Sequence, residues 1–522
     1  MRTLYTNAHF WSSGQDIFHD LLIEDSLILA TGENVKEFTA DTTIDLKDAY
    51  VIPAFIDGHA HPIFAGREAA GPRINGLNCV EEIKQEVKAF AEANPHVPWI
   101  IGGAYEAAII EGGDFDSSWL DEVVSDRPVV LHAVDHHTIW VNSKALELSG
   151  ITNATSDPEG GTIARRKDGS PKGTLREPSA IALVLNFAPA NTIESDIAAI
   201  KYACGEYRKV GVTAAIDSWC EKDMARAYIA AAQSGDLTIP FNLSFLATPS
   251  TWFGDIDEFN ELRQQCLDLD NPVLLQGNSI KFLLDGALSA GTAHLTQPYL
   301  DDPTSCGIAI WSDEELLNAL VAYDALGFQV HLHAIGDAAV KQALNSIEAM
   351  QQVNPDWDRR PVIVHAQLIC DEDLPRFAKL GVIVNVQPLW CYLDPMNKEL
   401  IAPRIGDERN SLQYRLQSLI KAGAMIAFGS DWPVTSHIPM QAINVPVTRT
   451  NPAAGSNDAW NIEEAITKEQ SLTFYTKNAA YQMFRENQCG SLEVGKAADF
   501  IVLRDGEIEA ICICGYISKE SE

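Results

Sequence analysis

The chain has 522 residues, of which 46% are hydrophobic and 21% charged, a composition ordinary for a soluble globular enzyme. Acidic residues outnumber basic ones by 72 to 38, and the formal net charge is −34. This balance argues against a nucleic-acid partner, because nucleic-acid binding needs basic patches. No run reaches the roughly 20 apolar residues of a membrane span, and the first twenty residues lack the apolar core of a signal peptide. We expect a cytoplasmic protein without a membrane partner.

Eight short apolar runs, each ending in a polar or small residue, follow one another along the chain. Runs of this kind are typical of strands buried on both faces of a parallel sheet. They are Val51–Asp57, Val212–Asp217, Phe241–Ala247, Ile280–Asp285, Phe328–His333, Val362–Gln367, Val382–Gln387 and Met425–Asp431. Helix-like segments such as Asp313–Leu326 and Asp337–Gln351 lie between them. The alternation predicts an α/β fold, a (β/α)8 barrel of the TIM type with its site at the carboxyl ends of the strands.

Two parts of the chain fall outside this alternation. Roughly 150 residues separate the first two predicted strands, far more than a normal connection. We predict that about residues 65–200 form an inserted subdomain over the barrel mouth. Both chain ends have β-type patterns and turns, so residues 1–52 and 486–522 are predicted to pair into a small β-sandwich domain. The barrel domain would then be residues 53–485.

Histidines with ligand spacing stand at the end of the first predicted strand. In His59-Ala60-His61 the two imidazoles would point to the same side of a strand, which suits two nitrogen ligands on one metal ion. The pattern is weak alone, because a second pair occurs at His331 and His333. Its weight comes from further ligand types at the ends of later strands, namely His333, His365 and Asp431. Spacing leaves open which of His331 and His333 is a ligand; we favour His333, which is closer to the strand end.

Lys281 lies inside the apolar fourth predicted strand. A buried lysine is costly unless it is paired or loses its charge. One interpretation is a salt bridge to a nearby carboxylate such as Asp285. The other is a carbamylated lysine, whose new carboxylate would bridge two metal ions.

Several motifs resemble the amidohydrolase superfamily: FIDGHAHP at 55–62, GSDWP at 429–433 and GSLEVGKAADFIVL at 490–503. Others are similar to its branch that includes N-substituted formamide deformylase, amidohydrolase family 3: IKFLLDGALSAGTAHLTQPY, HLHAIGDAAV, IVHAQL and WVNSKALELSGI. Together they span nearly the whole chain in the family's order. The resemblance implies that His59, His61 and Asp431 hold one metal ion, that His333 and His365 hold a second, and that carbamylated Lys281 bridges them. It implies two Zn2+ ions, although other divalent metals suit such ligands.

The resemblance also implies a function: a metal-dependent hydrolase that cleaves a C–N bond in an amide, an N-substituted formamide or a cyclic amide. Zinc lowers the pKa of bound water towards ~7, which makes hydroxide available at neutral pH. Asp431 would be the general base and would later pass the proton to the leaving group. The candidate catalytic residues are Asp431, His365 and His137. The expected partner is a small-molecule substrate, and a homodimer would be the commonest symmetric assembly.

The chain departs from the branch before the WVNS motif. Asp135-His136-His137 stands where the branch commonly has Asp-Gly-His. His137 is either a polar loop residue or a contact that binds the substrate and polarises its carbonyl. Glu177 matches an acidic position of the branch. It either forms a salt bridge within the insert or contacts the substrate. Two other functions stay open: a mononuclear metal deaminase with unmodified Lys281, and a non-catalytic regulatory or binding relative.

Overall fold

The computed structural model describes residues 1–15, 17–134, 136–158, 160–451 and 458–519. Its strands, in chain order, are β1 (Arg2–Phe10), β2 (Leu21–Glu24), β3 (Leu27–Thr31), β4 (Thr42–Pro53), β5 (Phe55–Ala60), β6 (Ile100–Tyr105), β7 (Val129–Ala133), β8 (Thr138–Val141), β9 (Thr162–Arg165), β10 (Pro171–Arg176), β11 (Val212–Cys220), β12 (Phe241–Ala247), β13 (Leu275–Leu283), β14 (Gln329–Ala334), β15 (Val362–His365), β16 (Ile383–Val386), β17 (Met425–Phe428), β18 (Phe500–Arg504), β19 (Glu507–Ile513) and β20 (Tyr516–Lys519).

The α-helices, in the same order, are α1 (Pro62–Ala69), α2 (Val80–Ala93), α3 (Ser117–Asp121), α4 (Ser143–Leu148), α5 (Pro178–Leu185), α6 (Ile193–Lys209), α7 (Lys222–Ser234), α8 (Trp252–Leu267), α9 (Asp313–Ala325), α10 (Asp337–Val353), α11 (Leu374–Lys379), α12 (Ala402–Asn410), α13 (Leu416–Lys421), α14 (Pro439–Ala442), α15 (Val445–Thr448), α16 (Lys468–Tyr475) and α17 (Lys477–Gln482). Short 3-10 turns and one π turn, at Asn397–Ile401, complete the helical structure of the described chain.

A nearly closed parallel barrel forms the centre of the fold. In the described chain its eight strands run in the order β5-β11-β12-β13-β14-β15-β16-β17. At the carboxyl ends of the first and last strands, Asp431 N–H donates to His59 O and His61 N–H to Trp432 O, each at 2.7 Å. These two hydrogen bonds join the free edges at the mouth, and the predicted α/β barrel is confirmed in this form.

Polar side chains occupy part of the barrel interior. Register pairing sets Lys281 of β13 opposite His331 of β14, and Ser279 opposite Gln329. Their alternating neighbours on the same strands belong to the main hydrophobic core with the surrounding helices. Because side chains alternate along a strand, these polar residues and His333 point inwards, where barrels more often carry bulky aliphatic residues.

The first predicted barrel strand, Val51–Asp57, was wrong in its bounds. Val51 to Pro53 complete β4, which pairs with β1 and β18, and barrel strand β5 begins at Phe55. Ala54 lies between the two strands, and its N–H donates to Asp499 O at 3.0 Å. The run is apolar up to Ile56 because both sheets bury it. No polar residue therefore marks the boundary between β4 and β5.

The two chain ends share one sheet. Among the described residues, seven strands run in the order β20-β19-β18-β4-β1-β2-β3. The sheet has its own apolar core, which includes Tyr5, Phe10 and Phe500. Its β3 edge returns towards the C-terminal segment, where Ile28 N–H donates to Lys496 O at 2.9 Å. The bounds 1–52 and 486–522 for a separate sandwich domain remain a prediction.

The segment between β5 and β11 contains a further sheet, with the order β6-β7-β8-β10-β9 in the part of the chain described. Its apolar clusters are separate from the barrel core. His132, His136 and His137 of this segment line the same cavity as the barrel strand ends. The segment therefore forms a wall of that cavity, and its limits of about 65–200 remain a prediction.

None of the described helices is both long enough and apolar enough to cross a lipid bilayer.

Two helical glycines offer a matched test of the packing of α1 on α6. A Cβ atom on Gly66 of α1 would lie 2.4 Å from Cα of Ala199, whereas a Cβ on Gly205 of α6 would meet no atom within 4 Å. We expect Gly66→Ala to lower the free energy of unfolding by about 1–3 kcal/mol through overpacking. Gly205→Ala should raise it by about 0.5–1 kcal/mol, because alanine favours the helix. Denaturant unfolding measures both, and a stabilised Gly66→Ala variant would contradict this packing.

Candidate metal centre

The predicted ligands meet where β5, β14, β15 and β17 end. Asp431 Oδ1 lies 3.2 Å from His59 Nε2 and 3.0 Å from His61 Nε2. The ring centroid of His365 is 5.3 Å from that of His59 and 4.7 Å from that of His333. One ligand atom each of His59, His365 and Asp431 lie within 4.8 Å of one another. Residues far apart in the chain thus form one compact group of nitrogen and oxygen donors.

Lys281 is buried beside this group and lines the same cavity. Among the described residues, no carboxylate oxygen lies within 4.0 Å of its amine. Burial lowers the pKa of Lys281 to about 7, and the nearby Asp431 opposes that shift. Asp285 instead accepts hydrogen bonds from the N–H groups of Ile335, Gly336 and His294. The salt bridge between Lys281 and Asp285 that the sequence left open is therefore not formed.

His331 and His333 have different surroundings. His331 is fully buried, and its Nε2 lies 2.9 Å from Nδ1 of His59. This hydrogen bond fixes the orientation of the His59 ring. His333 lines the cavity, and its Nδ1 lies 3.2 Å from Oδ1 of Asp285. The structure brings His333 to the cavity and keeps His331 away from it; the ligand role of His333 remains a prediction.

Unsatisfied polar atoms give an independent test of whether a metal ion fits. With the described residues, no hydrogen bond of acceptable geometry forms at His59 Nε2 or Asp431 Oδ1, which lie 3.2 Å apart within the donor group. His61 Nδ1 and His333 Nδ1 lack one as well, but it is Nε2 of His61 that faces Asp431, and His333 Nδ1 lies against Asp285. A buried polar atom without a partner costs about 1–3 kcal/mol, so a concentration of them indicates a missing ligand. Nitrogen and carboxylate donors are what zinc and similar divalent ions take. The residues present fit a divalent metal ion.

Burial and local contacts set the charges of the donors. Burial lowers the pKa of His61, and lowers those of His59, His333 and His365 well below the usual value, which keeps the imidazoles neutral. Burial alone would raise the pKa of Asp431, but the contacts from His59 and His61 outweigh it and lower that pKa well below its usual range. Neutral imidazoles and an ionised carboxylate are the forms that bind metal ions.

Several residues at this site have a left-handed backbone conformation. His365, Ala366 and Asp431 have φ values of +71°, +42° and +58°, and Glu177 of the insert has +68°. Non-glycine residues are uncommon at positive φ and cost of order 1–3 kcal/mol each where they occur. Strain at the ends of β15 and β17 turns the chain so that the donor side chains reach the mouth.

The insert contributes a histidine held by a carboxylate. Glu177 Oε2 lies 2.9 Å from His137 Nδ1, and Thr292 Oγ1 donates to Glu177 Oε1 at 2.5 Å. The His137 ring is centred 6.0 Å from that of His333. Glu177 therefore joins the insert to a barrel loop and orients His137 towards the donors. The preceding Asp135 lies outside the described residues.

Gln387 is a contact of the donors that motif spacing did not identify. Its Oε1 lies 2.7 Å from Nδ1 of His365, and its amide nitrogen donates to Asn385 Oδ1 at 3.2 Å. Asn385 and Gln387 alternate with valines in the run VIVNVQP, and residues i and i+2 of a strand share a face. That alternation was the available signal for polar residues facing the barrel interior.

The donors open into a cavity of about 1230 Å³. Its lining includes Phe64, Trp219, Trp390 and Trp432 alongside the insert histidines. The Trp390 ring is stacked on His365 at 5.2 Å with an interplanar angle of 2°. A cavity of this volume with mixed aromatic and polar walls accommodates a small organic molecule.

Known proteins match this chain over most of its length. The sequence profile described as "Amidohydrolase family" matches residues 42–511. Protein LONG AFTER FAR-RED 3 of Arabidopsis thaliana is 32% identical over 519 residues, which cover 96% of this chain and 86% of that protein. Putative amidohydrolase YtcJ of Bacillus subtilis is 30% identical over 492 residues, covering 92% and 90%. N-substituted formamide deformylase of Arthrobacter pascens is 27% identical over 486 residues, covering 91% and 87%.

A solved structure has the same fold. An uncharacterized metal-dependent hydrolase from Pyrococcus horikoshii superposes with a TM-score of 0.76 at 25% sequence identity, and the match covers 97% of this chain and 98% of that one. The family profile begins in β4 and covers the barrel, the insert and the carboxyl-terminal strands β18 and most of β19. The chain belongs to the amidohydrolase family of hydrolases.

Proposed function

We propose that this protein is a binuclear, metal-dependent amidohydrolase that cleaves a C–N bond in a small amide, N-substituted formamide or cyclic amide. The observation that carries the proposal is the group of unsatisfied donor atoms at the strand ends. The metal-dependent hydrolase of the same fold and the formamide deformylase among the relatives support it. Substrate class is the part that rests most on those relatives, because a fold alone does not fix function.

The donors divide into two groups in this proposal. One ion would be held by His59 of β5, by His61 just after that strand, and by Asp431. The second ion would be held by His333 and His365. Lys281 is buried without a carboxylate partner in the described chain, so carbamylation would replace an isolated amine by a ligand between the two groups. Zinc is the ion we expect, since nitrogen and carboxylate ligands suit it.

A divalent ion bound here supplies Lewis-acid chemistry, lowering the pKa of water and polarising a carbonyl group. Asp431 is the general base: its ionised carboxylate accepts a proton from the attacking water and returns it to the leaving nitrogen. Its backbone is fixed by the hydrogen bond to His59 O, so the carboxylate is held in place during the transfer. The aromatic walls exclude bulk water around these steps.

His137 acts on the substrate oxygen in this proposal. Glu177 would accept a hydrogen bond from Nδ1 of His137, and an imidazole protonated on both nitrogens would offer Nε2–H to the substrate oxygen from the cavity wall. Such a donor stabilises negative charge that develops on a carbonyl oxygen. Thr292 holds the other carboxylate oxygen of Glu177, so the donor is fixed before substrate arrives.

Metal content tests the binuclear site. Protein purified without chelators, in the presence of bicarbonate, should contain about two zinc-like ions per chain by inductively coupled plasma mass spectrometry. Lys281→Ala should lower that number sharply, and substitution of the exposed Lys421 should not. About one ion per chain, unchanged in Lys281→Ala, would favour the mononuclear deaminase. No uptake on reconstitution would favour a regulatory relative.

Removal of the general base tests the role of Asp431. We expect Asp431→Asn to lower kcat on an amide substrate by about 10²- to 10⁴-fold, because a carboxamide does not accept the proton. The exposed Asp257→Asn variant is the matched control and should keep wild-type kcat. Steady-state kinetics with equal metal loading makes the comparison. An active Asp431→Asn variant with normal metal content would exclude this residue as the base.

The pair formed by His137 and Glu177 predicts non-additive substitutions. His137→Ala should lower kcat/KM by about 10²- to 10³-fold through loss of a donor to the developing oxyanion. Glu177→Gln should also lower it, and the double variant should be scarcely worse than His137→Ala alone, since Glu177 acts through the histidine. Fully additive losses would show that Glu177 acts independently of His137.

A further inference from the structure

We propose that three buried amide side chains, Gln482, Asn385 and Gln387, fix the tautomer of neutral His365 through a directional chain of hydrogen bonds. We call these three residues the amide relay. The inference deepens the proposed function and rests on the proposed metal site, because it states why His365 presents a free nitrogen to the metal ion. The three relay residues are positioning residues.

The hydrogen bonds of the relay run in one direction. Gln482 Nε2 donates to the backbone oxygen of Gly58 at 2.7 Å, and Asn385 Nδ2 donates to Gln482 Oε1 at 2.8 Å. Gln387 Nε2 then donates to Asn385 Oδ1 at 3.2 Å. The last contact joins Gln387 Oε1 to Nδ1 of His365 at 2.7 Å.

The carbonyl group at the start of the relay fixes that direction. A peptide oxygen only accepts hydrogen bonds, so Gln482 must present its nitrogen to Gly58 and its oxygen to Asn385. The same requirement passes along each amide in turn. Gln387 must therefore present oxygen to His365, and Nδ1 of His365 must carry the proton. In a neutral imidazole this leaves the lone pair on Nε2, the nitrogen available to a metal ion.

Burial makes the alternative arrangement expensive. The side chains of Gln482, Asn385 and Gln387 are fully buried, and His365 is 3% exposed. Turning any one amide over would set two oxygens or two N–H groups against each other without water to satisfy them. The relay therefore behaves as a single unit.

Gly58 and the end of α17 provide the space and the backbone contacts that the relay needs. A Cβ atom on Gly58 would lie 2.6 Å from Asn385 Nδ2 and 3.1 Å from Gln482 Oε1, so only glycine leaves room for the two amides. Gln482 ends α17, and its own carbonyl accepts a hydrogen bond from Gln329 Nε2 at 3.1 Å, at the start of β14. The contact with Gln329 holds the backbone of Gln482 at the amino-terminal end of β14, while the side chain of Gln482 reaches Gly58 within β5.

The first test uses the metal-free protein with ¹⁵N-labelled histidine. Long-range ¹⁵N–¹H spectra identify the protonated nitrogen of each neutral histidine, and the His365 signal is assigned by its absence in His365→Gln. The relay predicts the Nδ1–H form of His365 in the wild type. In Gln482→Met the anchor is lost, and both tautomers should appear. Gln387→Glu should keep the Nδ1–H form, because a carboxylate still accepts from Nδ1, but it should lower stability, because its second oxygen faces Asn385 Oδ1.

The second test measures zinc affinity by competition with a chelator. Gln387→Met should weaken binding by about 10- to 100-fold and Gln482→Met by about 10-fold, whereas Gln387→Glu should stay within a few-fold of the wild type. Asn142→Leu is the matched control: it removes another fully buried amide, bonded to Val129, Val124 and Arg127 of the insert and not joined to the relay. It should cost stability and leave zinc affinity and the His365 tautomer unchanged.

The outcomes separate the relay from the metal site. A wild-type His365 protonated on Nε2 would overturn the relay even if two ions bind. Unchanged tautomer and zinc affinity in Gln482→Met would overturn it as well. A protein that takes up no metal would instead overturn the proposed function, and the Nδ1–H form in its spectrum would still support the relay.

Discussion

Desolvation at the barrel mouth is the constraint on which the rest of the structure depends. Taking charged groups out of water costs several kcal/mol per ion, and that cost is recovered only by good partners. Oδ1 of Asp431 lies 3.2 Å from Nε2 of His59 and 3.0 Å from Nε2 of His61, contacts that lower its pKa although they lack hydrogen-bond geometry. Lys281 has no carboxylate within 4.0 Å in the described chain, and its pKa falls to about 7. Burial thus keeps the imidazoles of His59, His333 and His365 neutral beside the ionised carboxylate of Asp431, an environment that a divalent cation stabilises.

Barrel closure and site geometry depend on the same hydrogen bonds. The bonds between Asp431 and His59 and between His61 and Trp432 join the free edges of the sheet, and they also fix the spacing of three donors. A change that loosens closure would therefore move the donors apart. The insert adds the opposite wall, and Glu177 links it to the barrel through Thr292 and His137. Fold stability and site geometry are coupled in this chain.

Much of this arrangement can be predicted from the sequence, because local patterns of apolar and polar residues determine where the barrel strands lie and where they end. Apolar runs identify the barrel strands, and polar residues at their ends identify the donors. The bounds of the first strand were wrong because two sheets bury one continuous apolar run, so no polar residue marks the transition at Ala54. The choice between His331 and His333 needed three-dimensional positions, since both lie on one face of β14.

Contacts between distant residues account for most of what the sequence could not provide. Gln482 bonds to Asn385, 97 residues earlier, and to the backbone of Gly58 on another strand. Neither motif nor periodicity indicates that a glutamine at the end of a short helix reaches into the barrel. The environment of Lys281 depends likewise on Asp285 being used by backbone N–H groups of a neighbouring loop. Such features follow from packing, which a single sequence does not display.

We propose that the strand-end donors hold two metal ions bridged through Lys281. An anomalous difference map at the zinc absorption edge, from crystals of the metal-loaded protein, would locate both ions. We expect one peak among His59, His61 and Asp431, a second beside His333 and His365, and added density on the amine of Lys281. Peaks only elsewhere on the protein, or a single peak with an unmodified Lys281, would contradict it.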